Sequence, residues 1–81
     1  MHPDEIKQLI EAGLPGASAF VTGDGDKFEA IVVSQAFEDL SMLKEQQMVY
    51  ATVQEQIASG ALHALTIKAY TPAEWQVLNE Q

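Results

Sequence analysis

At 81 residues, with 12 Asp+Glu against 4 basic residues that are all lysine and a formal net charge of −8, the chain is sized for a single domain spanning 1–81, and its 47% hydrophobic content suffices for a small core. The lack of cysteine excludes a disulfide scaffold, a thiolate metal site and a cysteine nucleophile. The acidity disfavours phosphate backbones and anionic membranes unless the lysines cluster, and it suits a partner with a basic patch.

Pro3 to Ala12 reads as a helix. Pro3 fits the first helical position, Asp4 and Glu5 sit where the helix dipole favours anions, and Ile6, Leu9 and Ile10 form an i, i+3, i+4 stripe. Gly13 is expected to end it in the left-handed C-terminal conformation, with Pro15-Gly16 turning the chain. His2 reads as a frayed terminal residue. Ala17 to Thr22 and Lys27 to Ser34 are strand candidates separated by Gly23-Asp24-Gly25-Asp26, the densest turn signal in the chain, so together they predict a hairpin. The second strand is apolar on both faces towards its end, as expected of a central strand.

Gln35 to Leu40 reads as a short helix or turn. Ser41 is a plausible N-cap for a long helix reaching about Ser59, with Met42, Val49, Val53 and Ile57 as its stripe and Gly60 as its stop. His63 to Tyr70 alternates as a third strand. Thr71-Pro72-Ala73-Glu74 is a capping box that opens a terminal helix carrying Trp75 and Leu78. The expected fold is α+β, a two-layer sandwich of order α-β-β-α-α-β-α: a three-stranded mixed sheet with helices on one face. Strands one and two pair antiparallel, and the third returns parallel after a helical crossover.

Apolar runs such as Ala30–Val33 fall far short of the roughly 20 residues that cross a bilayer. The start Met1-His2-Pro3-Asp4-Glu5 lacks the pattern of a signal peptide, so the cytoplasm is the expected location. Most motif readings fail on their context. Gly23-Asp24-Gly25 leads into a strand rather than a helix, which disqualifies it as a dinucleotide fingerprint. Asp24-x-Asp26 begins like a calcium loop, but its twelfth position is Gln35 rather than a bidentate glutamate. Gly13-Leu14-Pro15-Gly16 spells the G-x-x-G of KH domains but lies between a helix and a strand, where a cap plus turn explains it. No serine has a nucleophile-elbow setting, and no carboxylate pair stands out, so no catalytic residue is assigned. His63 remains: an imidazole at a strand start beside the Gly23–Lys27 loop, either hydrogen-bonded at a strand end or a metal ligand that needs further donors. With no cysteine here, an iron–sulfur centre would take its thiolates from another molecule.

Five segments in order, Gly23-Asp24-Gly25-Asp26-Lys27-Phe28-Glu29-Ala30-Ile31-Val32-Val33-Ser34, Phe37-Glu38-Asp39-Leu40-Ser41, Gln46-Gln47-Met48-Val49-Tyr50, Leu62-His63-Ala64-Leu65 and Lys68-Ala69-Tyr70-Thr71-Pro72-Ala73-Glu74-Trp75, resemble the BolA family, and most of all its short bacterial YrbA/IbaG-like members. The resemblance covers nearly the whole chain. It implies a KH-like fold and a monothiol glutaredoxin partner with a CGFS motif. With that partner, members hold a bridged [2Fe–2S] cluster used in iron sensing or cluster trafficking, with glutathione as co-ligand. The histidine of the family's "HAL" motif falls on His63 as a cluster ligand. The family's second ligand comes from the hairpin loop, where its usual "GDGSHF" reads Gly23-Asp24-Gly25-Asp26-Lys27-Phe28. Lysine thus replaces the loop histidine, and a protonated lysine is a poor iron ligand. Asp24 or Asp26 offers only carboxylate oxygen, a harder donor, and Asp24 is carried as the candidate of the two.

The expected function is therefore a non-enzymatic partner of a CGFS glutaredoxin, lending His63 to a shared cluster that this chain does not bind alone. Asp24, Asp26 and Lys27 line the docking loop. Ligation needs neutral imidazole, so cluster sharing is expected to weaken in acid. The alternative is a KH-like nucleic-acid-binding transcriptional or stress regulator; four lysines against twelve acids, and Lys44-Glu45-Gln46-Gln47 where relatives are commonly basic, argue against it and assign no nucleic-acid residue. A metal-free adaptor and a weak homodimer stay open.

Overall fold

A computed structural model describes residues 1–80. Helix α1 (Pro3–Gly13) starts at a capping box: the Asp4 N–H donates to His2 Nδ1 at 3.2 Å, and the His2 N–H donates to Glu5 Oε1 at 2.9 Å. His2 is thus the N-cap rather than a frayed end. Gly13 stays within the helix, and the left-handed residue is Gly16, at φ 87°. What Gly13 supplies is space, because a Cβ there would lie 2.6 Å from Thr52 Cγ2. The absence of a side chain lets the end of α1 press against the helical layer beside it.

Strands β1 (Ser18–Asp24) and β2 (Lys27–Val33) form the antiparallel hairpin, and β3 (Ala64–Tyr70) adds to β2 in parallel, giving the order β1-β2-β3 with β2 central. Register places Ala19 opposite Val32, Val21 opposite Ala30 and Phe28 beside Leu65, so the inward residues line up across the sheet. Between β2 and the helices, a 3-10 turn (Gln35–Phe37) drops Phe37 into the core. Phe37 packs with Ile6 and Ile10 of α1, with Ala30 and Val32, and with Val49, Val53 and Leu62. Burying this apolar surface is the main drive to fold.

The expected helix from Ser41 to Ser59 is two helices, α2 (Met42–Ala51) and α3 (Gln54–Ala58). At the break Thr52 donates both its N–H, at 3.0 Å, and its hydroxyl, at 2.6 Å, to the Val49 carbonyl, and Val53 leaves helical geometry at φ −122°, ψ 20°. Two β-branched residues in succession, one with a hydroxyl competing for backbone, weaken a helix there. Val49 and Val53 both reach the core. Met42 (77% exposed) and Ile57 (40% exposed) do not, so the expected stripe is only half realised.

Both sheet edges are closed by side chains four residues apart on a helix. On β1, Lys7 donates to the Ala19 carbonyl at 2.8 Å and Glu11 accepts from the Ala19 N–H at 3.0 Å. On β3, Tyr50 donates to the Leu65 carbonyl at 2.7 Å and Gln46 donates to the Ile67 carbonyl at 2.9 Å. Such covers blunt the tendency of an edge to pair with another strand. Helix α4 (Pro72–Asn79) begins at the expected Thr71–Glu74 capping box. Helices α1 and α2 lie on the core side of the sheet. Trp75 of α4 instead meets residues of the opposite side, stacking on Phe20, which alternates with core Ala19, and tilting against Tyr70, both at 5.6 Å between centroids.

Candidate functional site

The fold gathers the candidate residues at one end of the sheet. The hairpin closes with Asp24 opposite Lys27, leaving Gly25-Asp26 as a two-residue loop. Gly25 takes φ 59°, which suits a turn with glycine at its first central position. Gly23 is required for a second reason: at φ 122° an added Cβ would strike the Lys27 carbonyl oxygen. These glycines fix where Asp24, Asp26 and Lys27 leave the sheet, and all three side chains are exposed.

His63 arrives at the same end from the other direction. After α3, Gly60 turns the chain at φ 82°, and Leu62 is buried with its N–H donating to the Gln56 carbonyl at 3.0 Å. The Ala64 N–H then donates to the Asp26 carbonyl at 3.1 Å, and Ala64 pairs in register with Lys27. His63 is therefore held between an apolar anchor and a backbone tie to the hairpin loop, yet it is itself exposed. Among the described residues no side-chain hydrogen bond or ion pair engages its ring.

Charge is arranged unevenly around this end. Lys7 pairs with Glu11 at 2.7 Å and Lys68 with Glu29 at 3.5 Å, while Lys27 has no carboxylate within ion-pair distance among the described residues. Lys68 pairs in register with Ile31, four residues along from the row of Lys27, or about 13 Å at 3.3 Å per residue.

The donor set here is one open imidazole and two carboxylates, with no sulfur because the chain has no cysteine. Among the described residues no group of three or more His, Cys, Asp or Glu is placed to hold a metal ion. An exposed imidazole free of protein hydrogen bonds fits the part of one nitrogen ligand to iron whose remaining ligands come from elsewhere. Tyr50, absent from the sequence-derived site, matters beneath it: its hydroxyl grips β3 at Leu65, two residues from His63. The available signal was a tyrosine four residues after Gln46, on a helix followed by a strand with an open edge. No helix among the described residues is long and apolar enough to cross a membrane.

Comparison with known proteins agrees with the fold. The family model described as BolA-like protein matches residues 11–74. The chain is 43% identical over 75 residues to the acid stress protein IbaG of Escherichia coli K12, covering 93% of this chain and 89% of that protein. Among solved structures, a bolA homologue from Coxiella burnetii superposes with a TM-score of 0.86 at 36% identity, covering 94% of this chain and 97% of the other. The BolA domain of SufE1 from Arabidopsis thaliana superposes at 0.77 with 31% identity, covering 89% and 93%. Sequence and fold together place this chain in the BolA family.

Proposed function

We propose that this chain is a non-enzymatic partner of a monothiol CGFS glutaredoxin, and that the two proteins share a bridged [2Fe–2S] cluster in iron sensing or cluster trafficking, with glutathione as the partner's co-ligand. One observation carries the reading: His63 is exposed, free of hydrogen bonds among the described residues, and tied through Ala64 to the Asp26 carbonyl of the hairpin loop. Membership of the BolA family supports it, as does the likeness to a BolA domain within SufE1.

The roles follow from donor chemistry. The cluster, when bound, supplies iron with open affinity for nitrogen and sulfur ligands. Neutral His63 donates a ring lone pair, so protonation of the ring opposes assembly. Asp24 and Asp26 flank the site as weak oxygen donors or docking contacts, and Asp26 holds β3 in place through its carbonyl. Soft donors from the partner complement a chain without cysteine. The nucleic-acid alternative gains nothing from the surface. The Gly13–Gly16 segment joins α1 to β1 rather than two helices, and two of the four lysines are ion-paired.

Mixing the chain with a CGFS glutaredoxin, glutathione, iron and sulfide tests the proposal. Absorbance and circular dichroism are expected to differ from those of the glutaredoxin homodimer, and His63→Ala is expected to erase the difference. A His63→Ala mixture with the wild-type heterocomplex spectrum counts against His63 as ligand. Glutaredoxin binding without any heterocomplex spectrum favours a metal-free adaptor.

A further inference from the structure

We propose that Lys27 is the anion anchor of this site: its ammonium, set beside His63, engages a carboxylate of the small thiol co-ligand that accompanies the partner's iron. The inference rests on the shared-cluster reading and adds a role for the residue that replaces a ligand.

Lys27 opens β2 and pairs in register with Ala64, the residue after His63, so the two backbones run about 5 Å apart at this point. The side chain is exposed, and no carboxylate lies within ion-pair distance among the described residues. Asp24 sits opposite in the hairpin register and Asp26 precedes it, yet neither captures the ammonium. The other lysines are not substitutes. Lys7 bonds Glu11 and the Ala19 carbonyl, Lys68 pairs with Glu29 about 13 Å up the sheet, and Lys44 lies in the first turn of α2. Lys27 is therefore the one lysine at the His63 end without an ion-pair partner among the described residues, on a chain whose net charge of −8 otherwise repels anions.

A protonated lysine has no lone pair for iron, but it is a three-donor point charge suited to carboxylate. Glutathione brings two carboxylates with its thiol, and a thiol bound to the shared cluster would bring them to the end of the sheet that carries His63 and Lys27. A carboxylate on the partner protein has the same chemistry, and the choice of co-ligand separates the two sources.

The heterocomplex is assembled from wild-type or Lys27→Gln chain with either glutathione or its glycine monoethyl ester, and affinity is read by titration against the heterocomplex circular dichroism signal. With glutathione, Lys27→Gln is expected to keep the wild-type spectrum and bind about two- to fivefold more weakly, the scale of an exposed ion pair. Lys27→Arg should restore most of the loss. Esterification should weaken the wild type by a similar factor and leave Lys27→Gln almost unaffected. Equal esterification penalties in both chains rule out the glycine carboxylate, equal penalties with the diethyl ester as well overturn the proposal in favour of a protein carboxylate, and equal affinities with glutathione overturn any anion-anchoring role. Failure of the underlying reading looks different: no heterocomplex signal with wild type, or one that survives His63→Ala, removes both.

Discussion

Replacing Glu11 perturbs the closure of the β1 edge, and the geometry gives its cost. The carboxylate accepts from the Ala19 N–H at 3.0 Å and from Lys7 at 2.7 Å. Ala19 is fully buried, so Glu11→Ala leaves its N–H without an acceptor, at about 1–1.5 kcal/mol. The ion pair itself, with side chains 42% and 33% exposed, adds only about 0.3–0.5 kcal/mol. Glu11→Ala should therefore cost about 1.5–2 kcal/mol, while Glu11→Gln, which keeps an oxygen for Ala19 and loses the charge, should cost about 0.5 kcal/mol. Each kcal/mol lowers Tm by roughly 4–8 °C in a chain of this size. Urea and thermal unfolding followed by far-ultraviolet circular dichroism measure both variants. The hydrogen bond from Lys7 and then that from the Ala19 N–H hold the Glu11 carboxyl below its ordinary 4.5. Because the folded value lies below the unfolded one, the stabilisation is complete above about pH 4.5 and is lost as pH falls through the depressed value. The gap between wild type and Glu11→Gln should accordingly close in acid. Equal stabilities for the alanine and glutamine variants, or a gap that does not change with pH, would refute the edge-closure argument.

Gly13→Ala should destabilise the chain despite alanine's helix propensity, because its Cβ meets Thr52 Cγ2 at 2.6 Å, and Thr52→Ser should recover most of the loss; additive effects in that double-mutant cycle would contradict the packing explanation. Burial, and then the like charge of Glu74, push the Glu45 carboxyl above its ordinary 4.5, so its protonated form favours folding and this contribution is lost as pH rises through the elevated value. Glu45→Gln should therefore raise Tm at neutral pH, with the gain shrinking as pH falls through the elevated value and gone below about pH 4.5; a neutral-pH loss of stability would count against that sign. Gly23→Ala should cost more than about 1 kcal/mol and broaden the amide resonances of Asp24–Lys27, since its Cβ would strike the Lys27 carbonyl at φ 122°; a native-like spectrum would contradict a tight hairpin end.

The sequence is most readable where local chemistry and tertiary packing agree. The glycines and aspartates of 23–26 announce the hairpin, and Thr71-Pro72-Ala73-Glu74 forms the capping box that its residues spell. The break at Thr52-Val53 is not signalled, because neither residue excludes helix by itself and Val49 and Val53, four residues apart, would share a face in a continuous helix too. Met42 and Ile57 fit a helical stripe, but Met42 sits at the first position of α2 and Ile57 lies beyond the break, and both are exposed. His2 caps α1 with a ring nitrogen, which makes it less recognisable than a serine or aspartate cap. The stacking of Trp75 on Phe20 depends on where α4 crosses the sheet, which no local pattern encodes. At the candidate site, the juxtaposition of His63 with the hairpin loop follows from a parallel pairing between segments almost forty residues apart. The resemblance to a family named those residues; the register supplies the reason they meet.

Nitrogen ligation by His63 is tested most directly by pulsed electron paramagnetic resonance of the reduced heterocomplex, prepared with this chain labelled with ¹⁵N-histidine and an unlabelled CGFS glutaredoxin. The account predicts a ¹⁵N hyperfine coupling of directly bound imidazole that persists in His2→Ala and vanishes in His63→Ala. A cluster signal with no coupling to the labelled histidine, or a coupling that survives His63→Ala, would contradict it.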